Sequence, residues 1–147
     1  MSKKGFTLLE VLIVVIIIGI LASIAMPQYI STIEKARSGE AVANIGSLRT
    51  SLDRYWYQNA GATTAGATTS IPLLDIDDPN SVTNALYSYA ITSNTSTASV
   101  RTYVITATRT AASGTIYTVS WRQVSNIEGQ LYRSANLGGP VYTAPSE

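Results

Sequence analysis

From Phe6 to Met26 the chain is apolar except for Thr7, Glu10, Gly19 and Ser23. As a helix rising about 1.5 Å per residue, this run reaches about 30 Å, the thickness of a bilayer's hydrocarbon core, which predicts one membrane-spanning helix. The pattern then changes period without stopping. Ala41, Ile45, Leu48, Leu52 and Tyr55 recur at helical spacing, which puts them on one buried face of a helix that continues past Pro27 to about Asn59. Glu34, Lys35, Arg37, Glu40, Arg49 and Arg54 supply polar surface. Gly61 suits a helix C-terminus, and the Gly-Ala-Thr repeats from Gly61 to Ser70 read as a loop.

Beyond that loop the alternation has a period of two. Leu86 to Thr92, with Tyr87, Tyr89 and Ile91 on one side, predicts a strand. Val100 to Thr110 alternates Tyr103, Ile105 and Ala107 with polar or outward positions. Tyr117, Val119 and Trp121 resume the pattern after a turn at Ala111-Ala112-Ser113-Gly114, which makes a hairpin. Val141 to Thr143 adds a short last strand. One face of this sheet needs a cover, and the apolar stripe of the long helix is the available one. The predicted fold class is α+β: a long N-terminal α-helix, membrane-spanning in its first half, packed on a head of three to four antiparallel strands.

Lys3 and Lys4 precede the apolar run and no comparable basic cluster follows it, so residues 1–5 stay in the cytoplasm and the bulk of the chain crosses. Glu10 is the anomaly. A carboxylate in a spanning helix costs roughly 2.5 to 3.5 kcal/mol at the centre, less near an end, and such residues are usually functional. A plain signal anchor has no need of the acid. A cleaved secretory signal would draw on Ser23-Ile24-Ala25, but its apolar core would contain the acid and the helical pattern runs past Ala25 to Ile30 and Ile33.

The run Gly5-Phe6-Thr7-Leu8-Leu9-Glu10-Val11-Leu12-Ile13-Val14-Val15-Ile16-Ile17-Ile18-Gly19-Ile20-Leu21-Ala22, with Pro27 following, resembles the N-terminal segment of type IV pilins and the pseudopilins of type II secretion. The resemblance covers roughly the first third of the chain. It implies that a prepilin peptidase cuts between Gly5 and Phe6 and N-methylates the Phe6 amine. Residues 1–5 are then a leader, 6–26 the membrane and filament-core helix, and 27–147 a periplasmic or extracellular head. It also implies that Glu10 pairs with the N-terminal amine of an adjacent subunit during assembly. An intrachain pair at this four-residue spacing is the competing geometry. Gly19 and Pro27 bracket the weakest part of the helix, and the resemblance implies melting there on assembly, since the corresponding stretch is often melted in filaments of the family; a simple proline kink is the alternative. The implied partners are further copies in a helical filament, the inner membrane, the peptidase, and an assembly platform with its ATPase. The implied location is the inner membrane for the single-pass precursor and the cell surface for the pilus.

The chain of 147 residues has no histidine and no cysteine. Histidine-based acid-base catalysis, Ser-His and Cys-His pairs and the usual zinc or haem ligation are thereby removed, so the expectation is a non-enzyme with no cofactor and no metal. The net charge of +1 includes Lys3 and Lys4; without those two it is about −1, with no basic stripe for nucleic acid. No disulfide closes a C-terminal loop, a departure from many pilins.

Three smaller groups invite a label. Asp75, Asp77 and Asp78 offer oxygens to calcium, although the spacing is not that of an EF-hand, and a solvated or turn-capping role is the alternative. Asn94-Thr95-Ser96 matches a glycosylation acceptor or a plain polar loop. Tyr55-Trp56-Tyr57 suggests an aromatic path, but adjacent helical residues point in different directions. Major pseudopilins carry a calcium loop near the C-terminus with characteristic Asp, Trp and Gly residues. From Asn126 to Glu147 this chain has only Glu128 and Glu147 as acids, which favours a pilus subunit over the pseudopilin alternative.

Overall fold

The computed structural model describes residues 5–59 and 68–142. Two compact units divide it, Met1–Glu34 and Lys35–Glu147. Helix α1 (Leu8–Asn59) begins in the first and ends in the second.

In the first unit α1 exposes apolar side chains around its whole circumference, from Leu8 through Met26. Among the described residues it is the helix long and apolar enough to cross a membrane. A helix apolar on every side needs lipid or other helices around it. The helix runs unbroken through Gly19 and Pro27. Pro27 has no N–H to give the Ser23 carbonyl. The hydroxyl of Ser23 turns back to the Ile20 carbonyl at 2.7 Å, and that of Thr32 to the Gln28 carbonyl at 2.9 Å.

The second unit is a helix on a sheet. Strands β1 (Ser88–Asn94), β2 (Tyr103–Thr110), β3 (Ile116–Gln123) and β4 (Gly129–Arg133) form an antiparallel meander in sequence order. The register aligns Tyr89, Ala107, Val119 and Arg133 in one row, and Ile91, Ile105, Trp121 and Leu131 in the next. Ala41, Ile45, Leu48 and Leu52 of α1 join Tyr87, Tyr89, Ile91, Tyr103, Ile105 and Val119 in one core, as the two periodicities require. Arg49 lies 4.2 Å from the centre of the Trp121 ring, its guanidinium over the aromatic face.

The turn after β2 follows its sequence signal: Gly114 adopts φ +81° and its N–H reaches the Ala111 carbonyl at 2.9 Å. A left-handed residue there favours glycine.

Four expectations need correction. The last strand is Gly129–Arg133, not Val141 to Thr143. Val141 and Tyr142 lie in no strand, and Thr143 is outside the described residues. Gly129 disguises β4 because glycine is a poor strand former, yet a Cβ there would collide with the Trp121 ring and the Gln123 side chain. Strand β2 starts at Tyr103 rather than Val100, since the Arg101 N–H leaves the ladder for Asn126 Oδ1 at 2.8 Å. Strand β1 starts at Ser88 rather than Leu86. Glu34 is buried, not surface: with Ser38 it extends the row Ala41, Ile45, Leu48 backwards at the same four-three spacing. Gly61 and the repeats to Ala67 lie outside the described residues.

Candidate functional site

The site is the start of α1. Gly5 and Phe6 precede the helix in non-helical, exposed backbone. The first N–H groups of any helix lack intrahelical partners, and Thr7, just ahead of Leu8, answers part of that need. Its hydroxyl accepts the Glu10 N–H at 3.3 Å. Glu10 reaches back: its Oε2 accepts the Thr7 N–H at 2.8 Å and the Thr7 hydroxyl at 2.7 Å. The two residues form a capping box that satisfies helix-start donors reciprocally.

This locates the carboxylate. It folds toward the chain's beginning, one residue from the Phe6 nitrogen, and does not project sideways from the helix. Three of the five residues singled out from the sequence, Gly5, Phe6 and Glu10, are thus brought to one end. Gly19 and Pro27 are not: at about 1.5 Å per residue they lie roughly 14 Å and 26 Å further along α1. Thr7 was missed as a functional residue, although Thr7-Leu8-Leu9-Glu10 carries the capping-box pattern in plain view.

Residues 1–26 match the family model described as the prokaryotic N-terminal methylation motif. Over this N-terminal segment the chain is similar to the type IV pilin superfamily. It is 44% identical over 58 residues to the type II secretion system core protein G of Escherichia coli (strain K12), covering 40% of each chain. It is 48% identical over 59 residues to the protein of the same name from Vibrio cholerae, again 40% of each. It is also 47% identical over 51 residues to the type IV major fimbrial protein FimA of Dichelobacter nodosus, 35% of this chain and 33% of that one. The chain thus spans about two-fifths or less of the length of the curated relatives it matches. No solved structure matches it significantly.

The head's candidate groups have structural work. Asp75 accepts the Ser51 hydroxyl and pairs with Arg54 at 3.0 Å; the serine first, then the guanidinium, holds its carboxyl below the usual range. Asp78 caps a 3₁₀ turn by accepting the Asn80 N–H at 2.9 Å. Among the described residues no three His, Cys, Asp or Glu side chains are grouped to hold a metal. The Asn94 amide nitrogen donates to the Thr68 carbonyl at 2.8 Å, engaging the atom a glycan would need. Trp56 is buried and donates to the Thr97 carbonyl at 2.7 Å while Tyr57 faces outward, so the aromatic trio diverges.

A half-buried polar group in the head ties the end of α1 to the sheet. Asp53 pairs with Arg101 at 2.8 Å, both side chains less than one-fifth exposed, and accepts the Tyr103 hydroxyl at 2.8 Å. Burial first, then the adjacent Asp53 carboxylate, pushes the Tyr103 phenol well above its ordinary value.

Proposed function

We propose that this chain is a structural subunit of a type IV pilus rather than an enzyme. One observation carries the reading: Glu10 is held beside the Gly5-Phe6 junction at the start of a helix that is apolar on every side. Such a helix is satisfied by a membrane first and by copies of itself later. Cleavage after Gly5 converts the Phe6 amide into an ammonium next to Thr7, so the carboxylate and the new charge share one end of the helix. Each offsets the other's cost of leaving water. One carboxylate oxygen is engaged by Thr7, which leaves Oε1 for the chain's own amine or that of a neighbour.

The precursor sits in the inner membrane with residues 27–147 outside. Processed copies are extracted by a platform and ATPase and pack their apolar helices together, with local melting between Gly19 and Pro27 on assembly. Contacts between copies are of the heterologous kind that grow open filaments.

The secretion pseudopilin is the second reading, favoured by the matches to core protein G. The scarcity of acids between Asn126 and Glu147 supports the pilus. Mass spectrometry of native protein tests the common step: methylated Phe6 as the first residue is expected, and an intact leader overturns both readings. Electron microscopy of sheared surface material separates them. Long extracellular filaments containing this chain are expected; filaments confined to the periplasm would assign it to secretion.

A further inference from the structure

The apolar stretch of α1 is longer than the layer it has to cross. From Leu8 to Ile30 the helix axis advances about 33 Å, with Phe6 and Thr7 ahead of it, against a hydrocarbon core of about 30 Å. Two placements about one turn apart therefore compete. If Phe6 lies at the inner edge, the layer ends near Met26 and encloses Glu10. If Glu10 lies at the inner edge, the layer ends near Tyr29, because the helix advances about 28 Å between those two residues.

Charge decides between them. An acid inside the layer costs several times what a leucine at the same depth contributes, so bringing Glu10 to the edge outweighs moving Leu8 and Leu9 out among the inner headgroups. The carboxylate also folds toward the chain's start, bonded to the Thr7 N–H and hydroxyl, which directs it out of the layer in the second placement. At the far end Tyr29 is 65% exposed and Ile30 51%. A tyrosine, with an apolar ring and a polar tip, is favoured where hydrocarbon meets headgroups, and the second placement sets Tyr29 at that boundary. The first leaves Tyr29 and Ile30 both beyond it.

We propose that in the precursor Glu10 and Tyr29 lie at the two edges of the hydrocarbon layer, with the Tyr29 ring seated against the lipid headgroups on the outer side. The outer boundary moves from Met26 to Tyr29, and Pro27 lies inside the layer. Its ring then holds the Ser23 carbonyl, which lacks the usual helical donor, in lipid. The inference rests on the membrane-precursor reading and adds the register of the helix and its outer anchor.

The midpoint of the helix distinguishes the placements. It falls at Ile16 if the layer runs from Phe6 to Met26, and between Gly19 and Ile20 if it runs from Glu10 to Tyr29. Ile16 and Ile20 lie one turn apart on the same face, about 6 Å along the axis. The chain has no cysteine, so a nitroxide on an introduced thiol reports one position. In the full precursor, reconstituted in vesicles of phosphatidylethanolamine and phosphatidylglycerol, electron spin resonance compares collisions with oxygen, which concentrates in the bilayer centre, and with a water-soluble nickel chelate. The label at Ile20→Cys should be deeper than that at Ile16→Cys. A deeper Ile16→Cys label would overturn this register and leave the membrane reading intact, whereas free access of the chelate to both labels would remove both. Tyr29→Ala should shrink the depth difference and Tyr29→Trp should keep it. A difference unchanged by Tyr29→Ala would overturn the anchoring role of Tyr29.

Discussion

Among single residues, Glu10 caps the start of α1 and, on the proposed reading, also answers the new amine, and substituting its partner separates the two. Thr7 supplies both groups that hold the carboxylate, so Thr7→Val should remove the hydroxyl contact while keeping the backbone one, and Thr7→Ser should behave as wild type. Processing at Gly5, read by N-terminal mass, is expected to continue in both. Assembly should fall several-fold in Thr7→Val, and Glu10→Ala should lose it almost entirely because the new amine is left without its counter-charge. Wild-type filament yield from a processed Glu10→Ala chain would refute the pairing.

Tyr103 makes a second residue-scale case. Its hydroxyl donates to a carboxylate that also holds Arg101, a bond worth roughly 1.5 to 3 kcal/mol. Tyr103→Phe should therefore lower the stability of the head by about 2 kcal/mol, seen as a shift in denaturant midpoint near neutral pH. The phenol ionises less readily folded than unfolded. Its contribution is thus complete below the ordinary tyrosine value of about 10 and declines as pH rises beyond it. The gap between wild type and Tyr103→Phe should narrow above that pH, and a gap that widens would contradict the assignment.

For whole elements, strength of pattern decided what could be read from the sequence. Helix α1 was legible along its length because its apolar positions keep one period from Ala41 to Leu52, and β2 and β3 because Tyr103, Ile105, Ala107, Tyr117 and Val119 alternate without a fault. Strand β4 was not, since its core row is carried by Leu131 while Gly129 and Gln130 look like a turn. Its identity depends on a tertiary fact, the Trp121 ring lying where a side chain at position 129 would be. Gly129→Ala should for that reason destabilise the head by about 1 to 3 kcal/mol through overpacking, well beyond what a change of strand propensity gives. Thermal denaturation of the full chain in detergent would measure it, and a neutral result would mean Trp121 can move aside. At the start of α1 the sequence marks Gly5, Phe6 and Glu10 by the break from polar to apolar residues, whereas the capping contact of Thr7 is a local pattern that the membrane-length apolar run masks.

For the whole molecule, the two units solve the burial problem differently. The head buries Ala41, Ile45, Leu48 and Leu52 against its own sheet, whereas Ile13, Ile16, Ile17 and Ile20 stay about half exposed and find cover only outside the chain. The same substitution should then have opposite consequences in the two units. A lysine at Ile16 costs about 2.5 to 3.5 kcal/mol of insertion when the helix is in lipid, and costs again when helices pack on one another. Thr106, half-buried on the sheet face away from α1, lies outside the membrane-length apolar run, so a lysine there carries no insertion cost. Ile16→Lys is expected to release the precursor from carbonate-washed membranes and to abolish sheared filaments, while Thr106→Lys leaves membrane retention unchanged. Normal retention and assembly of Ile16→Lys would mean that this helix is never enclosed by lipid or by its own kind, which would remove the physical basis for reading the chain as a filament subunit.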